Sequence, residues 1–466
     1  MKRFLLIAAF FCCGYYLSEF FFWLPWVGFA GLCYLYQTRR HAHLWKGFLL
    51  PSWGVLGAIY AVCFQWMSLH DDGVYALAVL VFSLFFPLVF LLHHVLTSRF
   101  RSLTLDIAAV FGIFYALEYG ISLIPALDSV GLDIFFRSPT AVLPVLKLIH
   151  FKIWCSWVFA TCFAIGCCVH EKKIRSFVLL GALVACMGVL LFFAHVGDTS
   201  AGKAPEQTLK IALIQHNLPY PDEWRIAHWP EIKEKYRQMA LRAASRNPDL
   251  IIFPLYSIPG DVYRKPIFLE ELARLAKCPI LFASHVPIKA GDDAFEQGFM
   301  NFAFLYSSDG TLKDSYQAVH ALPFLGQDVK KAEKYHVIQG PFGKLGILLC
   351  YEEMIASLSQ EAARGGARVL VAMSNPGAFE QTTVPRDLLF QDQIRAAETG
   401  LPLLRVSSNG YSALIDRTGK IVTRTELGVE DILQVELASV GSAGSGVAYS
   451  MNPVSKVPSD SLKRSK

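Results

Sequence analysis

One stretch of this sequence is placed to do nucleophilic chemistry. Gly346-Ile347-Leu348-Leu349 is an apolar run that reads as a buried strand, and it ends at Cys350, with Tyr351, Glu352 and Glu353 following at once. A thiol at such a strand-to-helix corner projects into a cleft. It lies beside the free N–H groups of a helix start, which favour a thiolate and can hold a developing oxyanion. Cys350 is therefore the candidate nucleophile. Acyl chemistry on sulfur also needs a proton acceptor and a group that stabilises the oxyanion.

The elements that would carry such groups lie in the second part of the chain. Of 466 residues, 54% are hydrophobic and only 17% charged, and the average hides a break near residue 200. From about 206 onward the composition is that of a soluble α/β protein. Strand-like runs (209–215, 250–254, 280–284, 301–306, 345–349, 369–374, 403–407, 412–416) alternate with amphipathic helical stretches (229–247, 266–276), a pattern of stacked α/β layers. The segment 196–207 reads as a linker, 208–438 as the α/β domain, and 439–466, rich in Ser and Gly, as a disordered tail with no further span.

Residues 1–195 read as a transmembrane domain of about seven helices, over 4–21, 23–38, 47–68, 74–96, 103–126, 151–169 and 174–195. Most have the ~20 apolar residues a bilayer requires. A cleaved signal peptide is the other reading of the N-terminus, but no small-residue cleavage site follows and further spans come immediately. Lys2, Arg3, Arg39, Arg40, Lys46, Arg99, Arg101, Lys172, Lys173 and Arg175 fall in one set of loops, which marks that set as cytoplasmic. An odd number of crossings then puts the α/β domain on the outer face, the periplasmic side of an inner membrane. Asp106 is expected to cap or lie at the interface, and Glu118 either to hydrogen-bond structurally or to serve a site.

Nine of the eleven cysteines lie in the apolar part, where cysteine packs as a small hydrophobe. Only Cys278 and Cys350 lie in the α/β part, with no zinc-type spacing and no disulfide framework. No metal and no cofactor is expected. The net charge of +5 carries the membrane-topology signal and forms no basic patch with interleaved aromatics, so a nucleic-acid partner is not expected.

These features together resemble bacterial apolipoprotein N-acyltransferase, within the carbon–nitrogen hydrolase (nitrilase) superfamily. The resemblance rests on Phe22-Trp23-Leu24-Pro25-Trp26 and Trp66-Met67-Ser68-Leu69-His70 in the apolar part. In the α/β part it rests on Ala212–Asn217, Asp249–Pro254, His320–Phe324, Cys350-Tyr351-Glu352, Ser374-Asn375 and Arg395–Gly400. It implies a multi-helix membrane bundle followed by an α/β nitrilase-like αββα sandwich, and a Glu–Lys–Cys triad that takes acyl groups from phospholipid. Membrane lipid, a lipoprotein or another membrane protein are the partners implied. Carried over residue by residue, the nucleophile is Cys350, followed by the motif's Tyr351 and Glu352. Trp224 falls at a substrate-cleft tryptophan, and His320 opens a cleft loop. The triad glutamate should follow Pro254, where this chain has Leu255, and the lysine should lie two residues after Tyr316, where it has Ala318. A second loop glutamate gives way to Leu325-Gly326-Gln327, and the family's last transmembrane helix is not found. The shortened relatives associated with conjugal transfer (the TraB type) share that architecture.

Losing one oxyanion donor costs ~10²–10³ in rate and losing the base ~10²–10⁴. Leucine accepts no proton and alanine donates no hydrogen bond. The residues therefore predict a binding or scaffolding relative without turnover. The alternative is an active thiol-dependent N-acyltransferase or amidase with a rebuilt site, drawing on Glu352, His320 or Lys330, Lys331 or Lys334. A transporter built on the spans is disfavoured, since they show no internal repeat.

Overall fold

The computed structural model describes residues 2–16, 23–39, 41, 43–65, 72–98, 102–122, 143–196, 207–219, 228–255, 267–287, 299–320 and 331–439. The chain divides into two compact units, Met1–Val196 and Gly197–Lys466.

The first unit is helical, with α1 (Lys2–Tyr16), α2 (Leu24–Arg39), α3 (Leu50–Cys63), α4 (Asp72–Ser83), α5 (Phe85–Thr97), α6 (Leu103–Ser122), α7 (Phe151–Glu171) and α8 (Ile174–Val196). Among the described residues five stretches are long and apolar enough to cross a membrane: Leu44–Cys63, Tyr75–Thr97, Leu103–Ile121, Phe151–Glu171 and Ile174–His195. The first two expected spans correspond to α1 and α2, of 15 and 16 residues. In α8, Ile174, Phe177, Val178, Val184, Val189, Phe192 and Phe193 are all exposed. A helix that is apolar all round needs lipid or protein on every side.

Close packing holds the unit together. A Cβ on Gly166 of α7 would lie 2.8 Å from the Tyr34 backbone nitrogen, so glycine is what lets α2 and α7 meet. Phe159 forms an aromatic core with Phe29, Phe86 and Phe114, its ring centroid 4.8 Å from that of Phe114. The buried polar groups cluster: the Tyr36 hydroxyl is 2.8 Å from His93 Nδ1, and His93 Nε2 is 3.1 Å from the Asp106 carbonyl. Asp106 accordingly lies inside the unit, its carboxylate 3.9 Å from His93. Glu118 is also buried.

The second unit has twelve described strands. In chain order they are β1 (Gln207–Gln215), β2 (Leu250–Ile252), β3 (Ile280–Pro287), β4 (Phe299–Tyr306), β5 (Leu312–Gln317), β6 (Ile338–Gly340), β7 (Gly343–Leu349), β8 (Val369–Ser374), β9 (Leu403–Ser407), β10 (Ala413–Ile415), β11 (Ile421–Arg424) and β12 (Asp431–Ser439). Its helices are α9 (Trp229–Ala244), α10 (Ile267–Ala276), α11 (Ala356–Arg364) and α12 (Val384–Thr399). The strands form two six-stranded sheets, ordered β12-β1-β2-β3-β4-β5 and β11-β10-β9-β8-β7-β6. In the first, β1, β2 and β3 run parallel; in the second, β7, β8 and β9 do.

The period-2 alternation of a strand builds the layers. Leu209, Ile211 and Leu213 of β1 join Leu250, Ile252, Leu281, Ala283, Ala303 and Leu305 in a core shared with β7, β8 and β9 of the other sheet. The intervening residues Ala212, Ile214, Ile251, Ile280, Phe282 and Phe304 face α9 and α10 instead, through Ile232, Tyr236, Met239, Leu269 and Leu272. On the far side α11 packs on β7 and α12 on β9. The result is the αββα sandwich expected. Pairing at the carboxyl ends of the parallel strands (Leu349 with Met373, Ser374 with Ser407) brings the residues after β7, β8 and β9 to one edge, where open α/β sheets bind ligands.

Candidate functional site

Cys350 leaves the end of β7 with a positive φ of 54° and opens a 3₁₀ turn, Cys350–Met354. A left-handed backbone is uncommon for a residue with a side chain and is typically held by its surroundings. Two features of this chain hold it. Gly346 in β7 lets α11 approach so closely that a Cβ there would meet the Ala362 Cβ at 2.6 Å. Glu352, fully buried, then ties the turn to the segment after β5. Its Oε1 accepts from the Val319 N–H (2.8 Å), the His320 N–H (3.1 Å) and the Tyr316 hydroxyl (2.9 Å), while its Oε2 accepts from the Leu349 N–H (3.0 Å) and the same hydroxyl (3.0 Å).

These bonds bring Ala318 and His320 to the cysteine's turn. Leu255, three residues beyond β2, is fully buried, and Leu255, Ala318 and Tyr351 belong to one apolar cluster against which the half-buried Cys350 packs. The Leu255, Ala318 and Cys350 positions that the sequence singled out thus all border the core between the two sheets. Burial first, and then the charge of Glu353, push the Cys350 thiol up to about 12, although the Tyr351 N–H and Arg405 pull the other way. At neutral pH the thiol therefore stays protonated.

The groups proposed to rebuild the site are placed as follows. Burial pushes Glu352 up to about 7 against the pull of its donors, but both its oxygens are engaged in holding the turn. The His320 N–H is spent on Glu352, and burial, then Lys331, lower its imidazole below the usual histidine range. Lys331 and Lys334 are exposed. Trp224, Lys330 and the 325–327 loop lie outside the described residues. Among the described residues no cluster of His, Cys, Asp or Glu could hold a metal.

The carbon–nitrogen hydrolase family model matches residues 210–443, half of the chain. The chain belongs to the carbon–nitrogen hydrolase family. Curated relatives include the apolipoprotein N-acyltransferases of Geobacter metallireducens (27% identical over 265 residues, 51% of this chain and 48% of that protein) and Agrobacterium fabrum (26% over 300 residues, 58% and 56%). This chain spans about half the length of the curated relatives it matches. Among solved structures, Saccharomyces cerevisiae Nit3, a member of branch 10 of the nitrilase superfamily, matches with a TM-score of 0.41 at 23% identity, over 51% of this chain and 92% of that one.

Within this carbon–nitrogen hydrolase fold, one group of residues escaped the sequence reading. Arg405, in β9, is fully buried, and its Nη1 donates to Glu353 Oε2 (2.6 Å) and Asp392 Oδ2 (2.5 Å), its Nη2 to Ser374 Oγ (3.0 Å). Beside it Arg395 pairs with Glu398 at 3.3 Å, both buried. The signal was there: Arg405 is a lone charge inside the apolar run Leu403–Ser407, and such a charge needs buried partners.

Proposed function

We propose that this chain is a membrane-anchored carbon–nitrogen hydrolase-fold protein whose Cys350 site binds or scaffolds a membrane-derived ligand without acyl turnover. Its α/β unit would stand on the outer face of the inner membrane. The reading rests on one observation: apolar Leu255 and Ala318 share a buried cluster with Cys350, where the family's route needs a proton acceptor and a cation. Neither residue can serve, and the adjacent Glu352 is committed to holding the turn. The five membrane-capable helices and the similarity to apolipoprotein N-acyltransferases support lipid and lipoprotein as the ligand classes to test first.

The test is complementation of a cell depleted of apolipoprotein N-acyltransferase, with N-acylation of a reporter lipoprotein read by mass spectrometry. The native chain is expected to leave the lipoprotein amine free while still binding phospholipid vesicles or the reporter. The double variant Leu255→Glu, Ala318→Lys is expected to regain a trace of acyl transfer. Full acylation by the native chain would overturn the proposal and establish a rebuilt enzyme.

A further inference from the structure

We infer that Arg405 is a positioning residue for the Cys350 turn: through its bond to Glu353 it holds the nucleophile corner in its left-handed backbone. The role belongs to the site proposed above. It rests on reading Cys350 as the centre of that site, and not on whether the site turns over.

The corner needs such a hold. Among the described residues that carry a side chain, a left-handed backbone occurs at Lys172, Asn217, Asn247, Lys277 and Cys350. Asparagine tolerates that conformation, and the two lysines directly follow α7 and α10, where helices commonly end that way. Cys350 is neither an asparagine nor a helix end, and a residue strained in this way persists only where its surroundings fix it. Glu352 supplies one tie, toward the segment after β5.

The second tie runs the other way. Glu353 is the fourth residue of the turn that Cys350 opens, and its Oε2 accepts from Arg405 Nη1 at 2.6 Å. Arg405 is anchored twice more, to Asp392 of α12 at 2.5 Å and to Ser374 at the end of β8 at 3.0 Å. One guanidinium thus joins the turn to α12, β8 and β9. Glu353, Asp392 and Arg405 are all fully buried, and hydrogen bonds between ionised partners are the strong ones.

Counting charges separates attachment from charge balance. Arg395, beside the group, is paired with Glu398, whereas Arg405 faces two carboxylates. One carboxylate neutralises a buried guanidinium, and Asp392 alone would do so. A second buried carboxylate adds a desolvation penalty that neutrality does not require. Glu353 is therefore surplus to the charge balance of the core, and what it adds is the attachment of the turn.

The experiment is hydrogen–deuterium exchange of the full chain in detergent at pH 7, read by mass spectrometry on peptides covering 349–355, with β1 as the reference. Urea midpoints from pulse-labelling of Cys278, which is buried against α9 and α10, are taken alongside. Exchange at the turn reports local opening, and exchange in β1 reports opening of the unit. Glu353→Met keeps the side-chain length and leaves Arg405 paired with Asp392. It is expected to speed exchange at the turn about tenfold or more, the effect of losing a hydrogen bond to a charged group, while β1 exchange and the Cys278 midpoint stay native. Glu353→Gln keeps a carbonyl oxygen for Arg405 and is expected to stay within about threefold of the native turn. Asp392→Asn leaves the tie in place and is expected not to loosen the turn. Native exchange at the turn in Glu353→Met would overturn the inference, as would equal loosening by Asp392→Asn. Faster exchange throughout the unit with a lowered midpoint, or failure of Glu353→Met to fold, would overturn it too, since Glu353 would then stabilise the unit as a whole. Acylation by the native chain in the complementation assay reports turnover alone, so the two readings fail separately.

Discussion

Consecutive acidic residues after the nucleophile have separate tasks. Glu352 turns back toward the β5 segment and answers four donor groups, two buried and two half-buried, while Glu353 turns toward Arg405. Glu352 is thus a structural keystone whose removal should register as lost stability. Glu352→Ala strands the N–H groups of Leu349, Val319 and His320 and the Tyr316 hydroxyl. Orphaned buried donors cost ~1–3 kcal/mol each, with partial relief by water, so a loss of about 3 kcal/mol or more is expected in chemical denaturation. A loss under ~1 kcal/mol would mean that the turn is held by something else. The sequence displayed Cys350 plainly, because its strand ends in an abrupt change of polarity, whereas Leu255 and Ala318 were marked only by the resemblance to the family's triad motif. It could not display which way Glu352 and Glu353 point, since that depends on donors 32 to 36 residues away in the first case and 52 in the second.

At the scale of elements, runs such as 209–215, 369–374 and 403–407 were legible because they are mostly apolar segments of strand length. The strands that the reading passed over are β5 and β11, half-exposed, the three-residue β6, and β12, whose pattern is set by pairing with β1 along its full length. Helix α12 was also passed over. It buries Asp392 and Arg395 beside its apolar residues, so its polar and apolar positions do not separate into two faces. Helix α11 was not read either, being amphipathic but only nine residues long. Its contact with β7 is the element-level feature that positions the nucleophile corner. Gly346→Val would drive a side chain into Ala362 and Leu370, already 2.6 and 2.9 Å from an added Cβ. Overpacking of this kind costs ~1–3 kcal/mol, and here it should also tilt the end of β7. The expected result is lower stability together with faster alkylation of Cys350 as its turn loosens. Unchanged alkylation in a folded Gly346→Val protein would show that the corner does not depend on α11.

For the molecule as a whole, burying Glu353, Asp392, Arg395 and Arg405 together in the α/β unit ties its stability to pH. The folded state holds Asp392 protonated up to about 8, against an ordinary carboxylate near 3.8, so between those values it binds more protons than the unfolded chain. Stability therefore falls as pH rises. The contribution is fully present below the unfolded value and is lost as pH climbs through about 8, the reverse of a salt-bridged carboxylate. The drop between pH 5.5 and 8.5 is expected to be ~1 kcal/mol or more, tempered by the coupling of Asp392 to Glu353 through Arg405. Cys278 provides the probe, since it is buried beneath α9 and α10 in the same unit. Its pulse-labelling against urea gives a midpoint that reports opening of that unit regardless of what the membrane-capable helices do. The midpoint should be lower at pH 8.5 than at pH 5.5 in the native chain, and Asp392→Asn should flatten the difference because the asparagine binds no proton in either state. Equal midpoints in the native chain, or an undiminished slope in Asp392→Asn, would show that the proton is not held at this pair and that the buried charges are balanced in some other way.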